Sequence, residues 1–271
     1  MQVDGLPSKR SAKYPHLQEM LEWAIAVPLS RGLDTTFLRD FSPHERHATM
    51  TSTMDTDTRS TGKWGRNIED LASTVGYAAV NFDPATCAIN GTQSMTLAWW
   101  GRTVGTSKGM IIAEDESAAE VGVMFGTSTN RITWVVAAGG RTGFDKHVNW
   151  TDADDDHGPA GFASTYDTTL GQSVFGYGEL QNRDVAQTGD FDAECDKFGM
   201  NSLNDGSFAG TGTVEIGYVW ARVLSGSDIA LLNAKPLAMF ERRPKLISLA
   251  PVAAAGAGVA KLVGVGGGLV G

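Results

Sequence analysis

The sequence predicts an all-β protein of the sandwich or barrel type, and three observations carry that prediction. The 271 residues include 33 glycines but only 20% charged residues, a composition that suits a chain with many tight turns. Short apolar or alternating runs recur along the chain, and turn residues separate them. Long helical runs of Glu, Lys, Leu and Ala are scarce. Because sandwiches of roughly 200 to 250 residues form one unit, we expect one large domain with additional ends.

The first predicted element is a short helix that leads into a strand. Residues 15–25 carry apolar residues at helical spacing, and Pro15 suits a first helical turn. From Trp23 the same pattern can equally be a strand, so we favour a brief helix followed by a strand. We therefore expect residues 1–22 to form an N-terminal docking segment and residues 23–245 to form the sandwich.

The clearest predicted strands lie in the middle of the chain. In the last of them Ile216, Tyr218 and Trp220 share one face, while Glu215 and Val219 lie on the other. That alternation predicts a strand with one core face. The predicted strands cover residues 94–100, 109–113, 120–125, 131–137, 161–166, 173–180, 197–201 and 213–220.

The C-terminal part predicts a second short helix and an arm. Ser225, with Asp228 three residues later, resembles a capping box and predicts a helix over residues 226–233. Residues 246–271 consist mainly of Gly, Ala and Val, but their glycines and Lys261 argue against a membrane-spanning helix. We expect an extended arm that orders against a neighbouring subunit, since exposed Val and Leu promote association. Plain disorder is the alternative.

The charge of the chain and its N-terminus restrict the expected partners and location. The net charge of −9 repels phosphate backbones and anionic membranes, so no nucleic-acid partner is expected. Glu19 and Glu22 interrupt the apolar core that a secretory signal would need. We therefore expect a protein that is made in a cytoplasm and carries no signal peptide.

The chain has two cysteines, Cys87 and Cys195. They are far apart in sequence and form no CxxC motif, so they indicate neither a metal knuckle nor a disulfide framework. Two free thiols are favoured, and one long-range bridge stays open as the alternative.

Four segments together resemble a known domain family. Residues 38–50, LRDFSPHERHATM, resemble the "D-x-S-x-x-x-x-H" opening of laminin G-like, concanavalin A-like domains. Residues 219–240 are similar to the closing "W-x-R-x-L-S" and "P-x-x-x-F" motifs of that family, while residues 95–100 and 161–167 fit two of its strands. The resemblance implies an antiparallel jelly-roll sandwich. The family's "LYVDG" hairpin is replaced here by residues 173–178.

The resemblance implies binding in preference to catalysis. This superfamily includes lectins, glycosidases, adhesion modules and virion parts, so the fold alone does not fix the activity. A bacteriophage virion protein folds in the host cytoplasm and reaches the exterior by lysis, which would explain a lectin-like domain without an export signal. The leading hypothesis is therefore a non-enzymatic structural virion protein of a capsid or tail. It would bind copies of itself and other virion subunits, with weak glycan affinity. A free carbohydrate-binding module is the alternative.

A glycoside hydrolase is a third hypothesis, and it depends on three acidic residues. Asp190, Asp192 and Glu194 alternate, which would place their carboxyl groups on one face of a strand. A retaining glycosidase needs two carboxyl groups about 5 to 5.5 Å apart. The family's glucanases carry E-x-D-x-E, so an Asp stands here in place of the nucleophilic Glu. The segment also falls in the loop before the predicted strand at 197–201, and we do not expect an enzyme.

Two further features are candidates for ligand contacts. Asp152, Asp154 and Asp156 could hold calcium, which prefers carboxylate and carbonyl oxygens, but a solvated acidic turn is favoured because the EF-hand glycine and distal Glu are missing. No other cofactor is expected. Trp100 has a tryptophan neighbour that must point to the opposite face of the strand, and Trp150 lies beside the acidic loop. These two rings are the candidates for stacking on a sugar.

Overall fold

A computed structural model describes most of the sandwich. It describes residues 6–29, 37–50, 61–62, 65–66, 68–70, 78–104, 108–115, 120–127, 131–136, 146–151, 157–185, 188–191, 193–200 and 211–244. Side chains are described for all of these except those within 61–70, 102–110, 120–159 and 211–214. The predicted C-terminal arm, 246–271, lies outside the described residues. Among the residues described, no helix has the length and apolar character needed to cross a membrane.

Strands form most of the described chain. They are β1 (Leu21–Ala26), β2 (Phe37–Leu38), β3 (Ala48–Met50), β4 (Thr61–Gly62), β5 (Gly65–Arg66), β6 (Ile68–Asp70), β7 (Ala78–Asn81), β8 (Ser94–Val104), β9 (Lys108–Glu114), β10 (Glu120–Thr127), β11 (Arg131–Val136), β12 (Lys146–Thr151), β13 (His157–Asp167), β14 (Gly171–Gly176), β15 (Glu179–Asp184), β16 (Lys197–Met200) and β17 (Thr211–Trp220). The α-helices are α1 (Ala88–Thr92) and α2 (Gly226–Ala234), and short 3-10 turns cover Pro15–Gln18, Val27–Leu29, Pro84–Thr86 and Ala238–Phe240.

The strands form two antiparallel sheets, which confirms the predicted β-sandwich. In the part of the chain that is described, the first sheet has the order β1-β17-β8-β13-β14-β15, and β6 also pairs with β17. The second sheet has the order β12-β11-β10-β9-β16-β7-β3-β2. Strands β4 and β5 pair separately. Neighbouring strands are joined by crossovers between the sheets as well as by hairpins, which is the connectivity of a jelly roll.

One predicted strand is two strands in the structure. Residues 173–180 are divided between β14 and β15 by a turn at Tyr177 and Gly178. Both turn residues have positive φ, 55° for Tyr177 and 87° for Gly178. That backbone geometry reverses the chain in a two-residue hairpin, so the continuous strand that was predicted is wrong.

The core between the two sheets contains large aromatic side chains from both sheets. Trp99 and Phe162 of the first sheet stack with ring centroids 5.1 Å apart. Trp23 of the first sheet lies 5.8 Å from Phe198 of the second. All four are essentially inaccessible to solvent. These ring contacts fix the sheets face to face, because aromatic pairs stabilise beyond the apolar area that they bury.

The first sheet is also covered on its other face, by an outer layer made from the two ends of the described chain. The Trp220 indole donates to the Leu17 carbonyl at 2.8 Å, and the Tyr218 hydroxyl donates to the Pro236 carbonyl at 2.9 Å. Strand β17 is therefore buried on both faces, and the prediction of a single core face is wrong. The buried side chains of this layer are Leu17, Leu21, Ala24, Ala26, Leu29, Phe41, Ala98, Trp100, Ala163, Phe175, Ile216, Tyr218, Trp220, Leu224, Ile229, Leu232, Ala238, Met239 and Phe240.

The outer layer includes part of the predicted docking segment. The expected short helix is present as the 3-10 turn Pro15–Gln18, which leads into β1. However, Ala12 forms a bridge with Arg242, and Leu17 is fully buried against the first sheet. In the described part of 1–22, from residue 6, Leu6, Tyr14, Leu17 and Leu21 thus pack on the sandwich, while Met20 is 41% exposed.

Candidate functional site: a cleft beside helix α1

A cleft of about 610 Å³ opens between helix α1 and the loop that precedes β16. Pockets for small molecules have volumes of roughly 300–1,000 Å³, so the cleft has room for a sugar of one or two rings. Its rim is solvent-exposed at Ala85, Thr86, Gly91 and Glu194. The cleft is lined by Pro84, Ala85, Thr86, Cys87, Ala88, Asn90, Gly91 and Glu194.

The α1 side of the cleft is shaped by a local sequence motif, Asp-Pro-Ala-Thr at residues 83–86. The Asp83 carboxylate accepts a hydrogen bond from the Ala85 amide at 3.0 Å, and Pro84 occupies the first position of the turn. The Thr86 hydroxyl donates to the Asp83 carbonyl at 2.7 Å. Asp as a cap and Pro at the first position both favour such a turn. This wall of the cleft is therefore fixed by its own sequence.

The opposite side is a loop of residues 190, 191 and 193–196, named here the Glu194 loop, which is fastened to α1 at two points. The Asn90 side chain accepts from the Cys195 amide at 2.7 Å and donates to the Cys195 carbonyl at 3.0 Å. The Gln93 side chain accepts from the Phe191 amide at 2.6 Å. These bonds join segments about 100 residues apart in sequence, and they hold Glu194 on the rim.

A buried arginine supports the cleft from behind. Arg46 is 7% exposed and donates to the carbonyl and hydroxyl of Thr86 at 2.8 and 3.0 Å. It also pairs with Glu22 at 2.9 Å, and its guanidinium lies 4.0 Å from the centre of the Phe82 ring. The guanidinium thus links Glu22 of β1 to Thr86 of the cleft wall, and both charges of the Glu22–Arg46 pair are buried. Such an arrangement fixes Thr86 before any ligand arrives.

Asp40, in the opening motif of the family resemblance, positions Arg46. Its carboxylate accepts from the amides of Ala24, Ser42 and Arg46 at 2.8 Å each and from the Ser42 hydroxyl at 2.6 Å. Burial outweighs these bonds and raises the pKa of Asp40 above its ordinary value. The motif is therefore a buried turn that ties β1 to residues 40–46.

The pairing of Glu22 predicts a pH dependence of stability. Burial acts to raise the pKa of Glu22, but hydrogen bonds from His44 and Arg46 outweigh it and leave the pKa below its ordinary value, which is about 4.3. The stability that this carboxylate contributes is then complete above the unfolded-state pKa and is lost as pH falls through the lower folded-state value. We expect the difference in unfolding free energy between wild type and Glu22→Gln, measured by urea denaturation from pH 7 to pH 3, to shrink below about pH 4.3. A difference that is constant over this range would contradict the pairing.

The structure places the predicted catalytic acids in two positions. Glu194 lines the cleft, and Asp190 is exposed in the same loop without lining it. Asp192 lies outside the described residues. The loop location agrees with the sequence prediction, but it means that the alternation of a strand does not apply to Asp190 and Glu194. Their carboxyl groups are therefore not placed on one face by strand geometry.

Trp100 is buried, which corrects its interpretation as an exposed sugar-stacking ring. It is 2% exposed and belongs to the outer layer, beneath α2. Its indole nitrogen lies directly over Gly161, where an added Cβ would approach to 2.2 Å. The sequence showed that Trp99 and Trp100 point to opposite faces, but it did not show that both faces are covered. Trp150 lies on β12 and pairs with Ile132, and its side chain is not described.

The predicted calcium site at the acidic loop stays a prediction. Asp152, Asp154 and Asp156 lie outside the described residues. Among the residues whose side chains are described, no group of three or more His, Cys, Asp or Glu side chains is close enough to hold a metal ion.

One exposed aromatic residue was missed by the sequence analysis. Tyr177 is 48% exposed at the tip of the β14–β15 hairpin, and its ring contacts the edge of Phe162 at 5.7 Å. Two-residue hairpins of this type prefer Asn, Asp or Gly at that position, because the backbone is left-handed there. The available signal was the Tyr-Gly pair in place of the family's Asp-Gly.

Comparison with known proteins shows the fold of this chain but assigns it to no family. No family model matches the sequence, and no curated protein sequence matches it. The binding domain of botulinum neurotoxin DC, solved in complex with SialylT, is similar in structure, with a TM-score of 0.56, 10% identity, and coverage of 80% of this chain and 52% of that one. The same values hold for that domain solved with rat synaptotagmin II. Trypanosoma rangeli sialidase has a TM-score of 0.56 at 12% identity, covering 81% of this chain and 33% of the sialidase.

These likenesses establish a β-sandwich fold. The chain spans about half the length of the neurotoxin binding domains and a third of the sialidase. At this level of identity the shared property is the fold, and ligand-binding residues do not transfer between the proteins. The function must therefore be argued from the residues of this chain.

Proposed function

We propose that this chain is a non-enzymatic β-sandwich module that binds a neutral carbohydrate in the cleft between α1 and the Glu194 loop. The observation that carries the proposal is that hydrogen bonds hold both walls of the cleft in place. Asn90 holds Cys195 through two hydrogen bonds, and Arg46 holds Thr86 through two more. A rigid site loses little conformational entropy on binding, which favours weak polar ligands such as sugars.

The chemistry of the rim favours hydroxyl groups of a neutral sugar. Glu194 is exposed, and its carboxylate can accept hydrogen bonds from the hydroxyl groups of a sugar, which are of the stronger, charge-assisted kind. Thr86 is also exposed, and its hydroxyl is held by Asp83 and Arg46. The carboxylate and the net charge of −9 both repel anionic ligands. A neutral or amine-bearing oligosaccharide therefore fits the cleft better than an acidic one.

The residues that line the cleft support ligand binding better than they support hydrolysis. Hydrolysis by the common mechanisms needs two carboxyl groups on either side of the scissile bond. Within the described lining, Glu194 supplies the single carboxylate. The structural neighbours support a binding role, since the neurotoxin domains were solved with SialylT and with synaptotagmin II. The sialidase keeps a glycosidase as the competing activity to be tested.

Glu194→Ala is expected to weaken binding of a neutral oligosaccharide roughly 10- to 100-fold, because a hydrogen bond to a charged group contributes about 1.5–3 kcal/mol. Binding is measured by glycan array and then by calorimetry on the best ligand. Asp190→Ala is the matched control, since it removes an exposed carboxylate from the same loop outside the cleft and should leave affinity unchanged. Equal losses for the two variants, or no binding to any neutral glycan, would contradict the proposal.

A reducing-sugar assay separates binding from hydrolysis. We expect no release of reducing sugar from any oligosaccharide that binds. Release by the wild-type chain that Glu194→Gln abolishes would establish a glycosidase and overturn the non-enzymatic proposal.

The bacteriophage virion role, in a capsid or a tail, rests on the sequence resemblance alone. The outer layer weakens one argument for it, because Leu17 and Leu21 of the expected docking segment are buried against their own chain. The role is tested by mass spectrometry of gradient-purified particles from the source. A high copy number of this chain would support it, and absence from the particles would contradict it.

A further inference from the structure

Two thiols lie together behind the cleft. Cys87 immediately precedes α1 and Cys195 follows Glu194, and both are buried in the core between the sheets, at 4% and 0% exposure. The Cys87 side chain lies near the Cys195 thiol and is one of the groups that raise its pKa. The Cys195 thiol donates to the Lys197 carbonyl at 3.8 Å, and neither cysteine is in a disulfide. Two cysteines far apart in sequence thus share one part of the core.

The backbone around this pair is held by one side chain. Asn90 binds the amide and the carbonyl of Cys195 at 2.7 and 3.0 Å, and its own amide donates to the Cys87 carbonyl at 3.3 Å. Asn90 is therefore hydrogen-bonded to the backbones of both cysteines. A disulfide needs Cα atoms within about 7 Å, and it forms without rearrangement only where the backbones are already fixed near that separation.

We propose that Cys87 and Cys195 are a site of oxidative modification, forming an intramolecular disulfide by exchange with a small glutathione-like disulfide that approaches through the cleft. Cys87 lines the cleft and Cys195 does not, so Cys87, although only 4% exposed, is the cysteine that the small disulfide reaches first. Its thiolate attacks one sulfur of the small disulfide and releases one small thiol. The Cys195 thiolate then attacks the Cys87 sulfur and releases the second. The protein loses two electrons and two protons, and the small disulfide gains them as two thiols.

The second step is expected to be the slow one. Burial raises the pKa of the Cys195 thiol well above its ordinary value, and the neighbouring Cys87 thiol raises it further. Only the thiolate attacks a disulfide. The rate of cross-linking should therefore keep rising as pH passes about 8.5, the ordinary pKa of a thiol, instead of levelling off there. The mixed disulfide on Cys87 should accumulate before the internal disulfide appears.

The experiment incubates the full chain with oxidised glutathione between pH 7 and pH 10, followed by denaturation, alkylation and intact mass analysis. We expect a product that is two hydrogens lighter than the reduced chain and resists alkylation at both cysteines. Peptide mapping should join the Cys87 and Cys195 peptides. The closed loop of about 110 residues should raise Tm by roughly 5–15 °C, since disulfides act most strongly when they close long loops. Dithiothreitol should reverse the shift.

Single variants keep the proposal falsifiable. Cys195→Ala should stop at the glutathione mixed disulfide on Cys87, whereas Cys87→Ala should react with glutathione at least 10-fold more slowly than Cys195→Ala. Circular dichroism verifies that each variant is folded. Two alkylatable thiols in the wild-type chain after prolonged incubation at pH 10 would overturn the proposal, as would a cross-link found only between chains. Glycan binding plays no part in these outcomes, so the proposed function can fail independently.

Discussion

Replacing Arg46 with methionine is expected to lower the free energy of unfolding by about 3–5 kcal/mol, because the change removes the closer of the two partners of a buried carboxylate and leaves only His44, at 3.6 Å. The guanidinium is 2.9 Å from the Glu22 carboxylate, and both side chains are almost fully buried. Methionine keeps most of the apolar stem but cannot donate to Glu22 or to Thr86. The loss is measured by guanidinium denaturation at pH 7, where Glu22 is ionised in wild type.

A double variant identifies the origin of this loss. Glu22→Leu with Arg46→Met removes both charges, and replacing a buried pair with apolar side chains is often neutral or stabilising. The double variant should therefore be more stable than Arg46→Met alone. If Arg46→Met lost less than about 1 kcal/mol, the value typical of an exposed pair, the guanidinium would not be acting as a buried partner.

The cleft provides a second readout of the same substitution. Arg46 holds the carbonyl and the hydroxyl of Thr86 on the cleft wall. Arg46→Met should therefore weaken glycan binding even under conditions where the variant remains folded. Arg46→Lys keeps the charge but cannot reach both Glu22 and Thr86 with a forked group, so we expect intermediate stability and intermediate affinity.

The elements that local pattern determines were predictable from the sequence. The helix expected over 226–233 is α2, Gly226–Ala234, and the Ser225 hydroxyl accepts from the Asp228 amide at 3.1 Å as the capping signal requires. Strands β8, β16 and β17 occur where alternating or apolar runs predicted them. Capping and alternation act within a few residues, so a single sequence contains the whole signal.

The outer layer could not be predicted, because local pattern does not say what covers an apolar face. Trp99 and Trp100 were expected on opposite faces, and they are. The pattern leaves open whether the second face meets solvent, another subunit or the termini of the same chain. Only the tertiary structure shows that α2 and the 3-10 turn at Pro15–Gln18 occupy it. The N-terminal docking segment was predicted for the same reason, because its apolar pattern does not say whether it contacts another subunit or its own chain.

The cleft was only partly predictable for a related reason. Glu194 was identified as a candidate because acids alternate around it, yet its position depends on Asn90, about 100 residues earlier in the chain. The Asn90 bonds to Cys195 are the physical origin of the cleft, and no local signal pairs these two residues. The acidic alternation drew attention to Glu194 through a strand geometry that the loop does not have.

Truncating Leu232 tests whether the outer layer is a true second core. Leu232 is 1% exposed on α2 and borders a small gap beside Trp100. Leu232→Ala should lower the free energy of unfolding by about 2–5 kcal/mol, since a buried Leu loses both its transfer free energy and its packing. Denaturant unfolding gives the loss, and tryptophan fluorescence should shift to the red as water reaches the Trp100 ring.

Leu231→Ala is the matched control, because it makes the same change one residue earlier on the same helix. Leu231 is only partly buried, so its truncation should cost about 1 kcal/mol or less, as for a residue near the surface. Equal losses at the two positions would mean that α2 lies loosely on the sheet. A large loss at Leu232 alone would mean that α2 is packed tightly on the first sheet and forms part of a second core. In that case no partner could bind the outer face of the first sheet without displacing part of the chain's own core.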